Sequence, residues 1–482
     1  MCKLMRWLAM MMLCVLVDTQ NFKPTKAPMF QNKPFIVFWN APTSQCKNRH
    51  HVDLNLDTFG IAANSDEALN GDKVTIFYHN VFGYYPHISD SGESFHGGVP
   101  QNQSLSNHLS QVQKDINRVL PSKDFQGLAI IDWENWRPQW IRNWDNKVIY
   151  REHSINLVRS RHPSWPDSKV KTVAQKEFEK AGKNFMNSTL HLGLKMRSQG
   201  LWGYYLYPEC YNYNYKNHPH KYTGKCPNIE ISRNNQLLWL WKASTALFPS
   251  IYLPEILKSS TNVLKFVHHR VREAIRVATV ARQDYVLPVF VYSRPFYSYS
   301  LIALSQMDLV HTIGESAALG AAGMVMWGNK QYEASRDNCL TVQKYINETL
   351  GPYIINVTLA TQFCSQELCQ KKGRCVRKLP ESSTYLHMPS GSIKTKVSKK
   401  SSKLTFFFKM TKKEKQDLKK GFVCQYYLGW SGKFCKKQDA SSSHLKSGFL
   451  AQGWSSPRIS QTLLLNWILA EILLTLCYFM IN

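Results

Sequence analysis

The chain is predicted to be an α/β protein: a distorted TIM-like (β/α) barrel of seven strands, followed by a small C-terminal module held by cysteines. Three observations predict it. Short apolar runs rich in β-branched and aromatic residues recur along the chain, longer stretches of helical periodicity separate them, and most of the runs end on an aromatic or acidic residue. Alternation of strand and helix argues for a parallel sheet, and this many units in one domain argue for closure into a barrel.

The candidate strands are residues 35–39, 73–78, 128–132, 201–206, 250–253, 287–292 and 322–327, and the clearest helical patterns are 104–119, 172–197, 261–281 and 304–319. In parallel barrels the C-terminal strand ends carry the chemistry. Tyr78, Asp132, Glu134, Tyr205, Tyr252, Tyr292 and Trp327 all lie at or just beyond those ends. One aromatic at a strand end is usually core. A ring at most of them lines a groove that stacks on sugar faces and hydrogen-bonds their hydroxyls.

The third run ends Gly127-Leu-Ala-Ile-Ile-Asp132-Trp-Glu134-Asn-Trp136-Arg137-Pro138. Strand side chains alternate faces, so Asp132 and Glu134 point one way and Trp133 the other. Two carboxyls that close cannot both ionise cheaply; one is expected to keep its proton and act as a general acid while the other stays anionic. Cleavage of a glycosidic bond uses that division of labour. A Ca²⁺ ligand pair or a solvated strand end would show the same spacing.

The surrounding residues decide between them. Asp132-Trp-Glu134-Asn-Trp136-Arg137-Pro138 resembles the catalytic strand of the hyaluronidase family of endo-β-N-acetylhexosaminidases. Trp39-Asn-Ala-Pro42, Gly83-Tyr-Tyr-Pro86, Gly97-Gly-Val-Pro-Gln101, Gly200-Leu-Trp-Gly-Tyr-Tyr205, Pro208-Glu-Cys210, Gly314-Glu-Ser316 and Met326-Trp327 resemble further landmarks in the same order, across residues 35–435. Within the family the chain looks most like the glycosylphosphatidylinositol-anchored sperm-surface type.

The resemblance implies hydrolysis of β-1,4 bonds between N-acetylhexosamine and glucuronate in hyaluronan, with retention, by attack of the substrate's own acetamido carbonyl. Glu134 would be the acid and base, Asp132 the electrostatic partner of the acetamido group, Tyr205 and Tyr252 its hydrogen-bonding residues, and Trp327 the wall around its methyl. Tyr78 would fix the neighbouring sugar, with Tyr292 also in the groove. Arg137 and Arg270 are candidates to orient the site or pair with a uronate, although each could serve as a structural partner of buried acids, and Arg137 fits that second role better. Two residues depart from the family pattern: Glu209 stands where Asp is usual and Phe248 where Tyr is frequent. A chondroitin-preferring hydrolase and a cell-surface adhesion protein with little turnover are the alternative functions. No metal-ligand spacing, phosphate-cradling loop or Ser/His/Asp arrangement stands out, so no metal or cofactor is expected.

Domain organisation follows from the two ends and the cysteines. Lys3 and Arg6 precede an apolar stretch, which makes residues 1–20 a secretory signal peptide. The barrel is expected over 21–358, the module over 359–437, a polar spacer over 438–460, and a hydrophobic glycosylphosphatidylinositol signal or membrane anchor over 461–482. Secretion makes disulfides possible. The resemblance implies Cys46 with Cys339 and Cys210 with Cys226, and an epidermal-growth-factor-like module in which Cys364, Cys375, Cys369 and Cys424 are bridged. Tyr426 replaces the expected sixth cysteine there, leaving Cys435 unpaired. Asn102, Asn187, Asn347 and Asn356 head glycosylation sequons.

The formal charge is +27, and eleven lysines fall between Lys394 and Lys420 against Glu414 and Asp417 alone. Such a block in a cytosolic protein would suggest nucleic acid; in a secreted one it suggests polyanionic sugars, hyaluronan and chondroitin sulfate among them. A solvated insertion within the module accounts for it equally well.

Overall fold

The computed structural model describes residues 22–389, 391–397, 404–408, 410–432 and 437–438. The expectations for residues 1–20, for Cys435 and for the C-terminal tail lie outside them. Numbered in chain order, the parallel strands among the described residues are β1 (Ile36–Asn40), β2 (Ala62–Ala63), β3 (Val74–Tyr78), β4 (Leu128–Asp132), β5 (Leu201–Leu206), β6 (Phe248–Pro249), β7 (Phe290–Ser293) and β8 (Gly323–Trp327), one more than the seven expected because the short β2 pairs with β1. They form two parallel sheets, β2-β1-β8-β7 and β3-β4-β5-β6. Bridges from Leu247 to Val289 and from Ser250 to Tyr292 join β6 to β7.

On the opposite side a side chain closes the seam. Asn64 Nδ2 donates to the Val74 carbonyl at 2.7 Å, and Asn64 Oδ1 accepts from the Lys73 and Val74 N–H groups at 3.1 Å. An amide carries both donor and acceptor, so it can replace a ladder step between β2 and β3.

Register aligns the strand ends. Tyr78 pairs with Asp132 and Asn40 with Trp327. Strands β3, β4 and β8 are buried along their length until the last residue, which is partly exposed. Helices on the outer face explain the burial, and the uncovered C-terminal rim explains its end. The expected strand at 250–253 is corrected to Phe248–Pro249. Ser250 still bridges Tyr292 and the Ile251 N–H donates to the Tyr292 carbonyl at 2.9 Å, but the Ser250 carbonyl is taken by Arg270 Nη1 at 2.9 Å and the described ladder does not extend past it.

The helices Leu105–Val119, Asp167–Met196 and Thr261–Ala281 match the periodic segments, the second beginning earlier than expected. Ser104 caps the first by accepting from the Asn107 N–H. The segment 304–319 departs from one regular helix: a π turn at Val310–Gly314 separates Gln306–Leu309 from Glu315–Ala318.

The boundary expected at 358/359 falls inside the helix Gly351–Cys369. Cys364 and Cys369 sit on that helix and bridge to Cys375 and Cys424, on the antiparallel strands Gly373–Arg377 and Phe422–Tyr426. Cys46–Cys339 and Cys210–Cys226 also form. Fully buried Glu315, from the Gly314-Glu-Ser316 landmark, accepts from Arg377 Nη1 at 2.9 Å and contacts His268 Nδ1 at 2.6 Å, fastening barrel helices to the C-terminal strands. The lysine-rich segment pairs Ile393–Val397 with Leu404–Phe408 and ends in the helix Lys412–Gly421, capped by Thr411 and Glu414. Among the described residues no helix is long and apolar enough to cross a membrane.

Candidate active site

Strand alternation sets the acids. Leu128 and Ile130 belong to the apolar cluster inside the barrel, and the same face carries Asp132 at the strand's end. Trp133 turns outward and is 3 % exposed, with its ring 4.7 Å from Tyr85. Glu134 lies just beyond, its side chain about half exposed.

The landmark Gly83-Tyr-Tyr-Pro86 supports this turn. Gly83 has φ +65°, and a Cβ there would lie 2.6 Å from the His108 ring, so only glycine fits. The loop delivers Tyr85, which stacks on Trp136 at 5.3 Å. The Trp136 indole N–H donates to the Pro86 carbonyl at 2.8 Å.

Asp132 holds its proton up to about 8: burial is the main cause, the Glu134 charge adds to it, and Arg137 opposes both. The protein without substrate therefore keeps a proton on Asp132 at neutral pH, while Glu134 meets solvent.

Aromatic side chains from the neighbouring strand ends surround the pair. Trp327 Nε1 donates to the Tyr78 hydroxyl at 3.2 Å. Burial pushes the Tyr78 phenol up to about 12. Tyr252 stacks on Trp327, ring centres 5.8 Å apart and planes 14° apart, and its hydroxyl is directed at the Tyr205 oxygen. Tyr78, Tyr205, Tyr252 and Trp327 are all partly exposed.

Other expected site residues stand elsewhere. Tyr292 is fully buried, its ring 4.9 Å from Tyr205 and its hydroxyl without a partner, so it forms the floor beneath the groove. Arg270 makes structural contacts. It is 7 % exposed, Nε donates to Asn212 Oδ1 at 2.8 Å, Nη1 takes the Ser250 carbonyl, and the guanidinium lies over Phe266 and Tyr213. The Ser250 bond holds the segment that leads to Tyr252. Arg137 orients the acid: Nη1 donates to the Glu134 carbonyl at 2.9 Å, while Nε and Nη2 reach the Glu209 carboxylate at 3.3 Å. Glu209 also pairs with Arg142, which pairs with Glu230. Phe248 is fully buried among barrel rings, so the hydroxyl it lacks would not have faced the groove.

Two neighbours escaped the sequence. Lys147 Nζ donates to the Glu134 carbonyl at 2.6 Å, and its ammonium is lowered to about 8 by burial first and by Arg137 second. Arg294, next after β7, lies against Tyr252 and Trp327. Position beyond a strand end was the available signal for Arg294; none marked Lys147.

The sequon asparagines differ. Asn347 is exposed and Asn187 partly exposed on helices, and exposed Asn102 donates to the Gly97 carbonyl at 3.0 Å. Asn356 is engaged on both atoms: Nδ2 donates to the Met388 carbonyl at 3.1 Å and Oδ1 accepts from the Met388 N–H at 2.9 Å. A glycosylated amide keeps one N–H on that nitrogen, so these contacts are compatible with a glycan at Asn356.

The hyaluronidase family profile matches residues 24–439. Hyaluronidase-1 of Cerastes cerastes is 54% identical over 415 residues, covering 86% of this chain and 92% of that one. A hyaluronidase of Crotalus adamanteus is 52% identical over 418 residues, 86% of this chain and 92% of that one. Among solved structures, bee venom hyaluronidase in complex with a hyaluronic acid tetramer matches with a TM-score of 0.61 and 32% identity, over 66% of this chain and 98% of that chain.

Proposed function

The chain belongs to the hyaluronidase family, and from that premise we propose how its own residues perform the endo-hydrolysis of hyaluronan that this glycoside hydrolase carries out. The observation that carries the reading is the paired carboxyl site at the end of β4, with a stacked Tyr252–Trp327 wall beside it.

An N-acetylhexosamine binds with its acetamido group against Asp132 and its methyl on Trp327. The sugar displaces water from Glu134, which favours the acid form there, while the acetamido N–H donates to Asp132 and favours its anion. The shared proton thus passes to Glu134. Glu134 gives that proton to the glycosidic oxygen as the C1–O bond breaks, and the acetamido oxygen closes on C1 to form a cyclic cation. Asp132 stabilises the positive charge. Water then attacks C1 while Glu134 takes its proton, and the ring opens with retention. Arg137 and Lys147, both on the Glu134 carbonyl, hold the acid in place.

Hyaluronan is the preferred polymer over chondroitin sulfate. The two differ in the orientation of one hexosamine hydroxyl and in sulfation, and a groove hydrogen-bonding one arrangement through Tyr252 leaves a polar group unpaired against the other. The C-terminal bridges organise an epidermal-growth-factor-like module, and residues 461–482 direct glycosylphosphatidylinositol attachment at the extracellular face of the membrane. Four disulfides support passage through an oxidising compartment.

Incubating the protein with hyaluronan tests the assignment: new reducing ends at N-acetylhexosamine, formed with retained configuration by NMR, are expected. Reducing ends at glucuronate, or inverted products, would contradict it. Release of the cell-bound protein by phosphatidylinositol-specific phospholipase C tests the anchor; a retained tail peptide in the mature protein would refute it.

A further inference from the structure

Arg294 is 3 % exposed, and its guanidinium carbon lies 5.5 Å from the centre of the Trp327 ring and 5.9 Å from that of Tyr252. Tyr299 and Tyr332, each at 6.0 Å, complete an aromatic surround. Among the described residues no carboxylate answers the charge. Arg294 Nε and Nη2 are sealed from solvent and make no hydrogen bond, and the polar group beside the guanidinium is the Tyr332 hydroxyl.

Of the other buried arginines among the described residues, Arg374 also lacks a carboxylate and gives Nη1 to the Gly320 carbonyl at 3.0 Å, away from the groove, while those nearer the site are matched. Arg137 and Arg142 meet Glu209, Arg377 meets Glu315, and Arg270 meets an amide oxygen and a backbone carbonyl. A buried cation without an anion is costly, and ring faces repay it only in part. The unmet donors adjoin the Tyr252–Trp327 pair on which the hexosamine is placed.

We propose that Arg294 is the uronate anchor of the groove, taking the carboxylate of the glucuronate that adjoins the sugar held by Tyr252 and Trp327. The proposal rests on the hyaluronan reading above and names the group that recognises the polymer's charge. A guanidinium fork matches a carboxylate with two parallel hydrogen bonds. Tyr299, on a turn at φ +63° and 90 % exposed, borders the approach.

The test compares two ligands on protein made inactive by Glu134→Gln: a hyaluronan octasaccharide, and the same octasaccharide with its carboxyls reduced to primary alcohols. Adding Arg294→Gln is expected to weaken binding of the charged sugar by about 10–100-fold and to leave the reduced sugar's affinity unchanged. Equal weakening for both sugars, or none for either, would overturn the proposal. Should Arg294→Gln fail to fold, Arg294→Lys keeps the charge without the fork; an intermediate loss confined to the charged sugar supports the anchor, and unchanged or uniformly reduced binding overturns it. Failure of the wild-type protein to cleave hyaluronan would instead refute the underlying reading, whatever Arg294 does.

Discussion

Arg137 joins Glu209 to Glu134: it reaches the Glu209 carboxylate at 3.3 Å and donates to the Glu134 carbonyl at 2.9 Å. The longer side chain at 209 therefore acts on the acid through a guanidinium, in a cluster that also includes Arg142 and Glu230.

Glu209→Ala leaves two buried arginines short of a carboxylate. Losing one partner of a buried pair costs about 3–5 kcal/mol, so thermal unfolding should move down by many degrees. Glu209→Asp should lose far less. Equal melting temperatures for wild type and Glu209→Ala would show that the cluster holds nothing.

Asp132 carries a stability cost with a defined pH window. Its carboxyl ionises from an ordinary value of 3.8 in the unfolded chain and about 8 in the fold. Between those values the folded state holds the extra proton, so this group's contribution is complete below 3.8 and falls as pH rises through 8. Asp132→Asn removes the dependence. The melting temperature of Asp132→Asn relative to wild type should therefore climb between pH 4 and pH 8 while turnover is lost; a difference that shrinks with rising pH would contradict the burial argument.

Tyr78→Phe deletes the acceptor of the Trp327 indole N–H and leaves that donor unpaired beside the groove. A lost hydrogen bond of this kind is worth about 1–3 kcal/mol, so kcat/KM for hyaluronan should drop by roughly 5–150-fold. Unchanged kinetics would remove Tyr78 from the site.

Glycan mapping by mass spectrometry should find Asn347 occupied, because its side chain is exposed on its helix. A bare Asn347 would contradict that exposure argument.

The barrel and the acid pair were legible because each depends on local pattern. Apolar runs ending in Tyr78, Asp132 and Trp327 mark parallel strands whose last residues emerge at one rim. Arginine roles were not legible, since they depend on what the folded chain brings alongside: Arg270 looked like a ligand-binding residue and holds Asn212 and Ser250, whereas Arg294 attracted no notice and is left unmatched. Tyr292 was misread for a related reason. It sits on a strand end like Tyr252, but its face points into the packed interior. The continuous helix through Cys364 was hidden because cysteine spacing resembles a module on its own and says nothing of the helix that carries it.

The most direct test of the account is turnover and binding of Glu134→Gln. The amide keeps the shape of the acid without a usable proton, and general acid catalysis contributes about 10²–10⁴-fold. The account predicts a fall in kcat of at least that order, with hyaluronan affinity and thermal stability close to wild type. Turnover near the wild-type rate would contradict it.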